Sequence, residues 1–131
     1  MRAITTDPNY WVIKHRLIVL THEGGEKGRR YPGGLITLRS DLNHVNRRCT
    51  LMHEIGHHIH GDTPTTDSCR SSRQERRAHE WAAQHLISEQ AYRDAETIHG
   101  PHIGALAAEL EVTTKYIEIW REMHARIANY L

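Results

Sequence analysis

The sequence predicts an α+β fold, in which a small antiparallel sheet packs on a bundle of helices. Segments rich in β-branched residues lie before residue 40, and segments with helical periodicity follow them. The length of 131 residues suits one domain, and the chain shows no internal repeat or low-complexity linker. We therefore expect a single domain with a β-hairpin region at 1–40, helices at 41–90 and C-terminal helices at 91–131.

The β-hairpin region is expected to contain two strands and a long connection. Residues 10–21 (YWVIKHRLIVLT) and 35–39 (LITLR) are rich in β-branched and aromatic residues, as strands are. The polar, glycine-bearing stretch 22–34 between them indicates a loop. This loop and the second strand could offer an edge to an extended peptide by strand addition.

The first helix is expected to begin after Ser40 or Asp41, since either side chain can cap a helix. Apolar and small residues then recur at three- and four-residue spacing, which marks one buried face. These residues are Leu42, Val45, Cys49, Met52, Gly56 and Ile59. Turn-forming residues end the helix at 61–64, and the polar stretch 61–72 is expected to be a loop that contains Cys69.

Further helices are expected in the second half of the chain. One runs from about 73 to 86 or 87, and a shorter one lies within 88–101 before a Gly-Pro break. The segment 103–128 contains two amphipathic helices that are divided near Val112 and Thr113.

Composition and charge exclude several classes of protein. The net charge of +1 argues against a protein that coats nucleic acid. The sequence has no signal-peptide pattern, no apolar run long enough to span a membrane, and two cysteines that form no disulfide framework. We therefore expect a soluble cytoplasmic protein, with Cys49 as a small core residue and Cys69 exposed.

One short segment carries a recognisable chemistry. His53-Glu54-Ile55-Gly56-His57 matches H-E-x-x-H and lies inside the first predicted helix. Because residues four apart share a helix face, both imidazoles can bind one ion. Glu54 is turned by about 100° from His53, so it can act beside the metal as a general base without being a ligand. The pattern predicts a zinc site that hydrolyses peptide bonds.

A catalytic zinc site typically has a third protein ligand. The longer pattern H-E-x-x-H-x-x-G-x-x-H requires Gly at 60 and His at 63, where the chain has His60 and Thr63. A glutamate on the following helix is the other common arrangement. Glu75 begins an alanine-rich helix that can pack tightly beside the first, which makes Glu75 the candidate, with His79 and His60 as alternatives.

The two motifs together resemble the ImmA/IrrE family of zincin-like metallopeptidases. Relatives carry H-E-x-G-H and then E-x-x-A-[N/D]-x-[aromatic]-A-A on the next helix; here His53–His57 is followed by ERRAHEWAA at 75–83. The resemblance covers about residues 35–90. It implies a cytosolic enzyme with a protein substrate, and some members cleave a repressor of a phage or mobile element. The site residues it implies are the Zn²⁺ ligands His53, His57 and Glu75 and the catalytic Glu54.

Two positions depart from the family pattern. His79 stands where relatives have Asn or Asp, and we expect it to support a ligand by a hydrogen bond or to stabilise the oxyanion. Residues 86–88 (LIS) replace the usual Leu-Leu-Met-Pro, which affects the shape of the substrate cleft. Trp81 stands at the aromatic position and is expected to pack in the core.

Other polar residues near the motif have ordinary interpretations. We expect His58 and His60 to be surface residues. Asp62 could orient a ligand, but a turn role is the simpler interpretation. The group that stabilises the oxyanion stays open among His79, Tyr92 and His102.

The C-terminal segment has the apolar skeleton of a helix-turn-helix over residues 106–120. Glu111 occupies the turn position at which glycine is usual, and the basic residues of the second helix are offset by Glu118 and Glu122. These features argue against DNA binding. We expect the apolar positions to pack under the metal site instead.

The sequence thus leads to two hypotheses. The first is a zinc endopeptidase in which Glu54 activates water. The alternative is a zinc-containing regulatory module that binds a protein or DNA partner without proteolysis. Glu54 argues against this alternative, because a structural zinc needs no base beside it.

Overall fold

The computed structural model describes residues 5–130. Within them the chain forms α1 (Pro8–Lys14), β1 (Ile18–His22), β2 (Gly28–Tyr31), β3 (Leu35–Arg39), α2 (His44–Ile59), α3 (Ser68–Leu86), α4 (Glu89–His99), α5 (Ile103–Leu110) and α6 (Thr114–Tyr130). A small sheet followed by helices confirms the α+β class. Among the helices of this described part, none has the length and apolarity that crossing a membrane requires.

The first predicted strand, 10–21, is wrong over its first half. Asp7 caps a helix there by accepting a hydrogen bond from the N–H of Asn9, and Pro8 occupies a first-turn position. Of the aromatic residues that suggested a strand, Trp11 attaches α1 to α3 instead, because its ring packs edge-to-face on that of Trp81 with the ring centroids 5.1 Å apart. Local capping and this contact outweigh the β propensity of the segment.

The sheet is mixed rather than antiparallel, with the order β1-β3-β2. β1 pairs with β3 in parallel, and β2 pairs with β3 antiparallel. The predicted hairpin of β1 and β3 is therefore wrong, and β2 lies in the stretch 22–34 that was expected to be a loop. β3 is the central strand and has no free edge, so the edge expected at 35–39 belongs to β2 instead.

The second helix of the chain begins later than predicted, and the third begins earlier. Asn43 caps α2 through the N–H of Asn46 at 2.8 Å, so neither Ser40 nor Asp41 has that role. The buried face of α2 is confirmed by Cys49, Met52 and Gly56.

α3 begins at Ser68 rather than near 73, because Asp67 accepts hydrogen bonds from two N–H groups of its first turn. Cys69 therefore lies on a helix rather than in a loop, and it is exposed as expected.

The C-terminal helices confirm the predicted division between 110 and 114. Glu111 adopts a left-handed conformation with φ of 55°, which glycine usually takes at this position. Arg48 of α2 supports this turn, since its guanidinium donates hydrogen bonds to the carbonyls of Leu110 and Glu111. The same guanidinium also binds the carbonyls of Thr6 and Leu86, so one side chain ties four segments together.

α2 runs between two hydrophobic clusters. Its residues Cys49 and Met52 pack with α3 and the C-terminal helices, and Trp81 lies partly buried against that cluster. Its residues Leu51 and Ile55 pack against the sheet. The side chains of His53, Glu54 and His57 belong to neither cluster, and they lie on the part of α2 that is next to β2 and α3.

Candidate metal centre

The two histidines of the motif converge as their spacing predicts. His53 and His57 lie one turn apart on α2, and their Nε2 atoms are 3.2 Å from each other. The ring of His57 is buried, and that of His53 is largely covered. Both rings therefore present a nitrogen to the same small region of space.

Glu75 of α3 reaches that region from the neighbouring helix. Its Oε1 lies 2.9 Å from Nε2 of His57, and its Oε2 lies 3.2 Å from Nε2 of His53. The close packing of α2 on α3 brings it there, because a Cβ added to Gly56 would stand only 3.1 Å from the carbonyl oxygen of Ala78. These three side chains form a group that could hold a metal ion.

The chemistry and spacing of this donor set fit zinc. Donors at 2.0–2.1 Å from a tetrahedral zinc lie about 3.3 Å apart. The two imidazole Nε2 atoms are 3.2 Å apart here, and the two oxygens of Glu75 lie 2.9 Å from one and 3.2 Å from the other. Nδ1 of His57 faces the carboxylate of Asp62, so that nitrogen carries the hydrogen. The Nε2 of His57 therefore faces a second carboxylate with its lone pair. Because Nε2 of His57 and the carboxylate of Glu75 are then both acceptors, a proton or a metal cation must lie between them.

The mutual influence of these groups appears in their pKa values. Hydrogen bonds from His53 and His57 hold the pKa of Glu75 well below its ordinary value. Burial lowers the pKa of His57, but the carboxylates of Glu75 and Asp62 outweigh burial, and its pKa is raised. The site thus keeps a negative carboxylate against two imidazoles, as a cation site requires.

The side chain of Asp62 contacts His57, and its backbone N–H also closes the turn after α2 by bonding to the carbonyl of His57. Asp62 is only 4 % exposed, and its Oδ2 accepts a hydrogen bond from Nδ1 of His57 at 2.8 Å. Arg77 of α3 binds the other carboxylate oxygen, and Arg30 of β2 binds the backbone carbonyl of Asp62. A turn aspartate and an orienting aspartate look alike in sequence, and only the helix end at Ile59 brings this one back toward the ring.

Glu54 lies where two cavities meet along β2. It lines a cavity of about 190 Å³ together with Gly28 and His53, and a cavity of about 580 Å³ together with His57 and Glu75. A Cβ on Gly28 would stand 2.9 Å from Cγ of Glu54, so this glycine lets the strand approach the helix closely. Glu54 is not one of the three convergent ligands, as expected for a base beside the metal.

His79 lies beside the three convergent side chains and is not one of them. Its ring stacks on that of His53 at 4.1 Å, and its Nε2 lies 3.7 Å from Oε2 of Glu75. Burial, followed by the positive charges of His53 and Lys115, lowers the pKa of His79 to about 4. Its Nδ1 lies 3.0 Å from the hydroxyl of Tyr116, whose pKa burial raises.

Tyr116 was missed by sequence reasoning. Its position among the apolar residues of an amphipathic helix gives no sign of a polar role, and its partner His79 is 37 residues away in the chain.

The other candidate residues lie elsewhere. Tyr92 is buried, stacks on a tryptophan of α6 and hydrogen-bonds to an arginine there, and His102 caps α5. His60 donates a hydrogen bond from Nδ1 to the carbonyl of Gly56 in the last turn of α2, and His58 packs against the ring of a histidine after α1. Cys69 is exposed and is not a member of the metal group. Of the residues considered for the oxyanion, only His79 adjoins the convergent ligands.

Comparison with known proteins agrees with this geometry. A family model described as the IrrE N-terminal-like domain (Peptidase_M78) matches residues 12–119, a span that runs from α1 into α6 and includes both metal-site helices. No curated protein matches the chain. The resemblance to ImmA/IrrE proteins is confirmed. The chain belongs to the IrrE N-terminal-like family of metallopeptidases.

Proposed function

We propose that this protein is a zinc-dependent endopeptidase, in which His53, His57 and Glu75 hold the ion and Glu54 is the general base. The observation that carries the proposal is the convergence of the three ligand atoms beside Glu54. Such a centre, open on one side to a cleft, is what hydrolysis of a bound peptide requires.

The chain's own residues divide the work of hydrolysis. Zinc, when bound, polarises the scissile carbonyl and lowers the pKa of water. The carboxylate of Glu54 takes a proton from the attacking water as the new carbon–oxygen bond forms. Glu54 then delivers that proton to the nitrogen as the carbon–nitrogen bond breaks, so the products are a carboxylic acid and an amine. Asp62 keeps His57 in the tautomer whose Nε2 faces the ion.

Tyr116 is positioned to donate a hydrogen bond to the carbonyl oxygen as it becomes negative. The ammonium of Lys115 lies 3.2 Å from Nε2 of His79, and an ammonium can only donate. His79 must therefore carry its hydrogen on Nδ1, which donates to the oxygen of Tyr116. The hydroxyl hydrogen of Tyr116 is left for a ligand in the cavity that it lines with Glu54.

The substrate is proposed to add to the free edge of β2 as an extended strand. β2 is an edge strand that lies against α2 at Gly28, beside Glu54. The two cavities that meet at Glu54 follow this strand, one from Lys27 and the other from Tyr31. A peptide held by backbone hydrogen bonds can thus extend beyond the reacting bond on both sides, which favours an endopeptidase.

A protein substrate follows from membership of a peptidase family, and a repressor is the proposed class. The resemblance to ImmA/IrrE proteins supports a transcriptional repressor of a phage or mobile element, encountered in the cytoplasm. Cleavage, rather than mere binding, is what distinguishes this proposal from a regulatory module that contains zinc.

The substitution Glu54→Gln tests the proposal. It removes the proton acceptor and keeps the shape, so we expect cleavage of unfolded test proteins to fall by at least about 100-fold, while zinc content stays that of the wild type. Cleavage is followed by mass spectrometry, with Glu96→Gln on the exposed side of α4 as the matched control. Undiminished cleavage by Glu54→Gln would refute Glu54 as the base. Zinc binding without any cleavage by the wild type would favour the regulatory module.

A further inference from the structure

We propose that the smaller cavity beside Glu54 is a specificity pocket for a carboxylate. It would hold the side chain of an Asp or Glu that follows the scissile bond, bound by Lys27 and Lys115. The inference rests on the proposed function and names a substrate class for the same site.

The cavity has the size and walls of a pocket for one side chain. Its volume is about 190 Å³, below the range of roughly 300–1,000 Å³ typical of drug-sized ligand pockets. Four parts of the fold line it: the start of β2, one face of α2, His79 of α3 and the first turn of α6. The residues that matter here are Lys27, Gly28, Thr50, Glu54, Lys115 and Tyr116.

Two lysine side chains line this cavity. The chain has three lysines, and two of them line the cavity, Lys27 from the residue before β2 and Lys115 from α6. Nζ of Lys27 lies 3.5 Å from an amide oxygen of Asn46, and Nζ of Lys115 lies 3.2 Å from the imidazole of His79. Both partners are neutral acceptors, and each ammonium has three hydrogens to donate. Donors therefore remain for an anionic ligand.

No carboxylate of the protein neutralises these two lysines within the described residues. Neither ammonium is in ion-pair contact with Asp or Glu in the part of the chain that the structure describes. The one carboxylate among the described residues that line the cavity is Glu54, which the proposed function commits to the reacting water. A carboxylate from the substrate would thus complete the charge balance of the pocket.

The direction of β2, together with the proposed antiparallel pairing of the substrate, determines which substrate residue enters the pocket. β2 runs from Gly28 to Tyr31, and the cavity lies at its beginning. A peptide that pairs antiparallel to β2 has its C-terminal side at Gly28. The residue in the cavity is therefore the one after the scissile bond.

A matched pair of inhibitors measures the preference directly. Each inhibitor is a short peptide that carries a zinc-binding hydroxamate at its N-terminal end. The first side chain after the hydroxamate is that of aspartate in one inhibitor and that of asparagine in the other. We expect the zinc-loaded protein to bind the aspartate form roughly tenfold more tightly, since two partly exposed ammonium groups each add a modest contact. Lys27→Met with Lys115→Met should abolish this ratio, whereas Lys14→Met on α1 should retain it.

The outcomes separate this inference from the proposed function. Equal binding of the two inhibitors, or a preference that survives in the double variant, would overturn the carboxylate pocket and leave the peptidase intact. Failure of both inhibitors to bind, together with no cleavage of a peptide library, would overturn both proposals.

A peptide library distinguishes two sources of the carboxylate. We expect cuts before internal Asp or Glu in peptides whose C-termini are amidated. Cuts that occur only next to a free C-terminal carboxylate, and release a single residue, would show that the pocket binds the chain terminus and would overturn the assignment to a side chain.

Discussion

At the scale of single residues, the spacing of His53 and His57 was sufficient to predict their convergence. A helix places residues four apart on one face, and the apolar periodicity around the motif predicted that this segment is helical. Glu75 could be proposed because it begins a small-residue face suited to close helix packing. Asp62 could not, since its contact with His57 depends on how the chain turns after α2.

Asp62→Asn is expected to weaken zinc binding without unfolding the protein. The change preserves volume but removes the charge that orients His57 and pairs with Arg77. Loss of such a supporting carboxylate typically costs 10- to 100-fold in metal affinity, so we expect the zinc Kd to rise by about that factor. The zinc affinity should be sensitive to this change, because His53 cannot compensate for it. Nδ1 of His53 is buried without a hydrogen-bond partner among the described residues.

Competition with a chelator measures this Kd, and Asp94→Asn on α4 is the control, since its exposed carboxylate accepts a hydrogen bond from Gln90 and lies on a helix without metal-site residues. An unchanged Kd in Asp62→Asn would show that His57 needs no orienting carboxylate.

At the scale of elements, most helices and the strand at 35–39 were predictable, whereas α1 and β2 were not. α2 and the division of α5 from α6 follow from periodicity over many residues. α1 and β2 have seven and four residues, so capping and tertiary contacts decide their structure. β2 (GRRY) has no β-branched residue, yet it forms the edge on which the proposed substrate strand depends.

Gly56→Ala is expected to destabilise the pair formed by α2 and α3. The new Cβ would stand 3.1 Å from the backbone oxygen of Ala78 and 3.2 Å from the ring of Trp81, and neither group can move cheaply. Overpacking of this kind costs about 1–3 kcal/mol. That exceeds the gain of about 1 kcal/mol that alanine brings to a helix.

Urea denaturation should therefore show a lower free energy of unfolding for Gly56→Ala. The control is Gly104→Ala in α5, where the new Cβ would meet only an imidazole edge of His102 at 3.3 Å. This control should be neutral or slightly stabilising. Equal stability of Gly56→Ala and the wild type would mean that the helices can separate without cost.

At the scale of the whole molecule, the cleft is made by parts that are distant in sequence. The parallel pairing of β1 with β3 places β2 at the edge of the sheet, and no local pattern specifies that order. The C-terminal helices pack through apolar positions such as Leu106 and Ile117 into the cluster that also contains residues of α2 and α3. Their first turn supplies Lys115 and Tyr116 to the cavity beside Glu54, so this segment belongs to the proposed active site.

The central claim is that His53, His57 and Glu75 hold one zinc ion, and zinc content per chain tests it most directly. Elemental analysis after gel filtration is expected to find about one zinc in the wild type and in the control Glu96→Ala, as in catalytic sites with three protein ligands. Glu75→Ala should retain clearly less, since one of the three convergent ligands is gone. Full zinc in Glu75→Ala would place the third ligand elsewhere, and no zinc in a folded wild type, even after zinc is added back, would contradict the account.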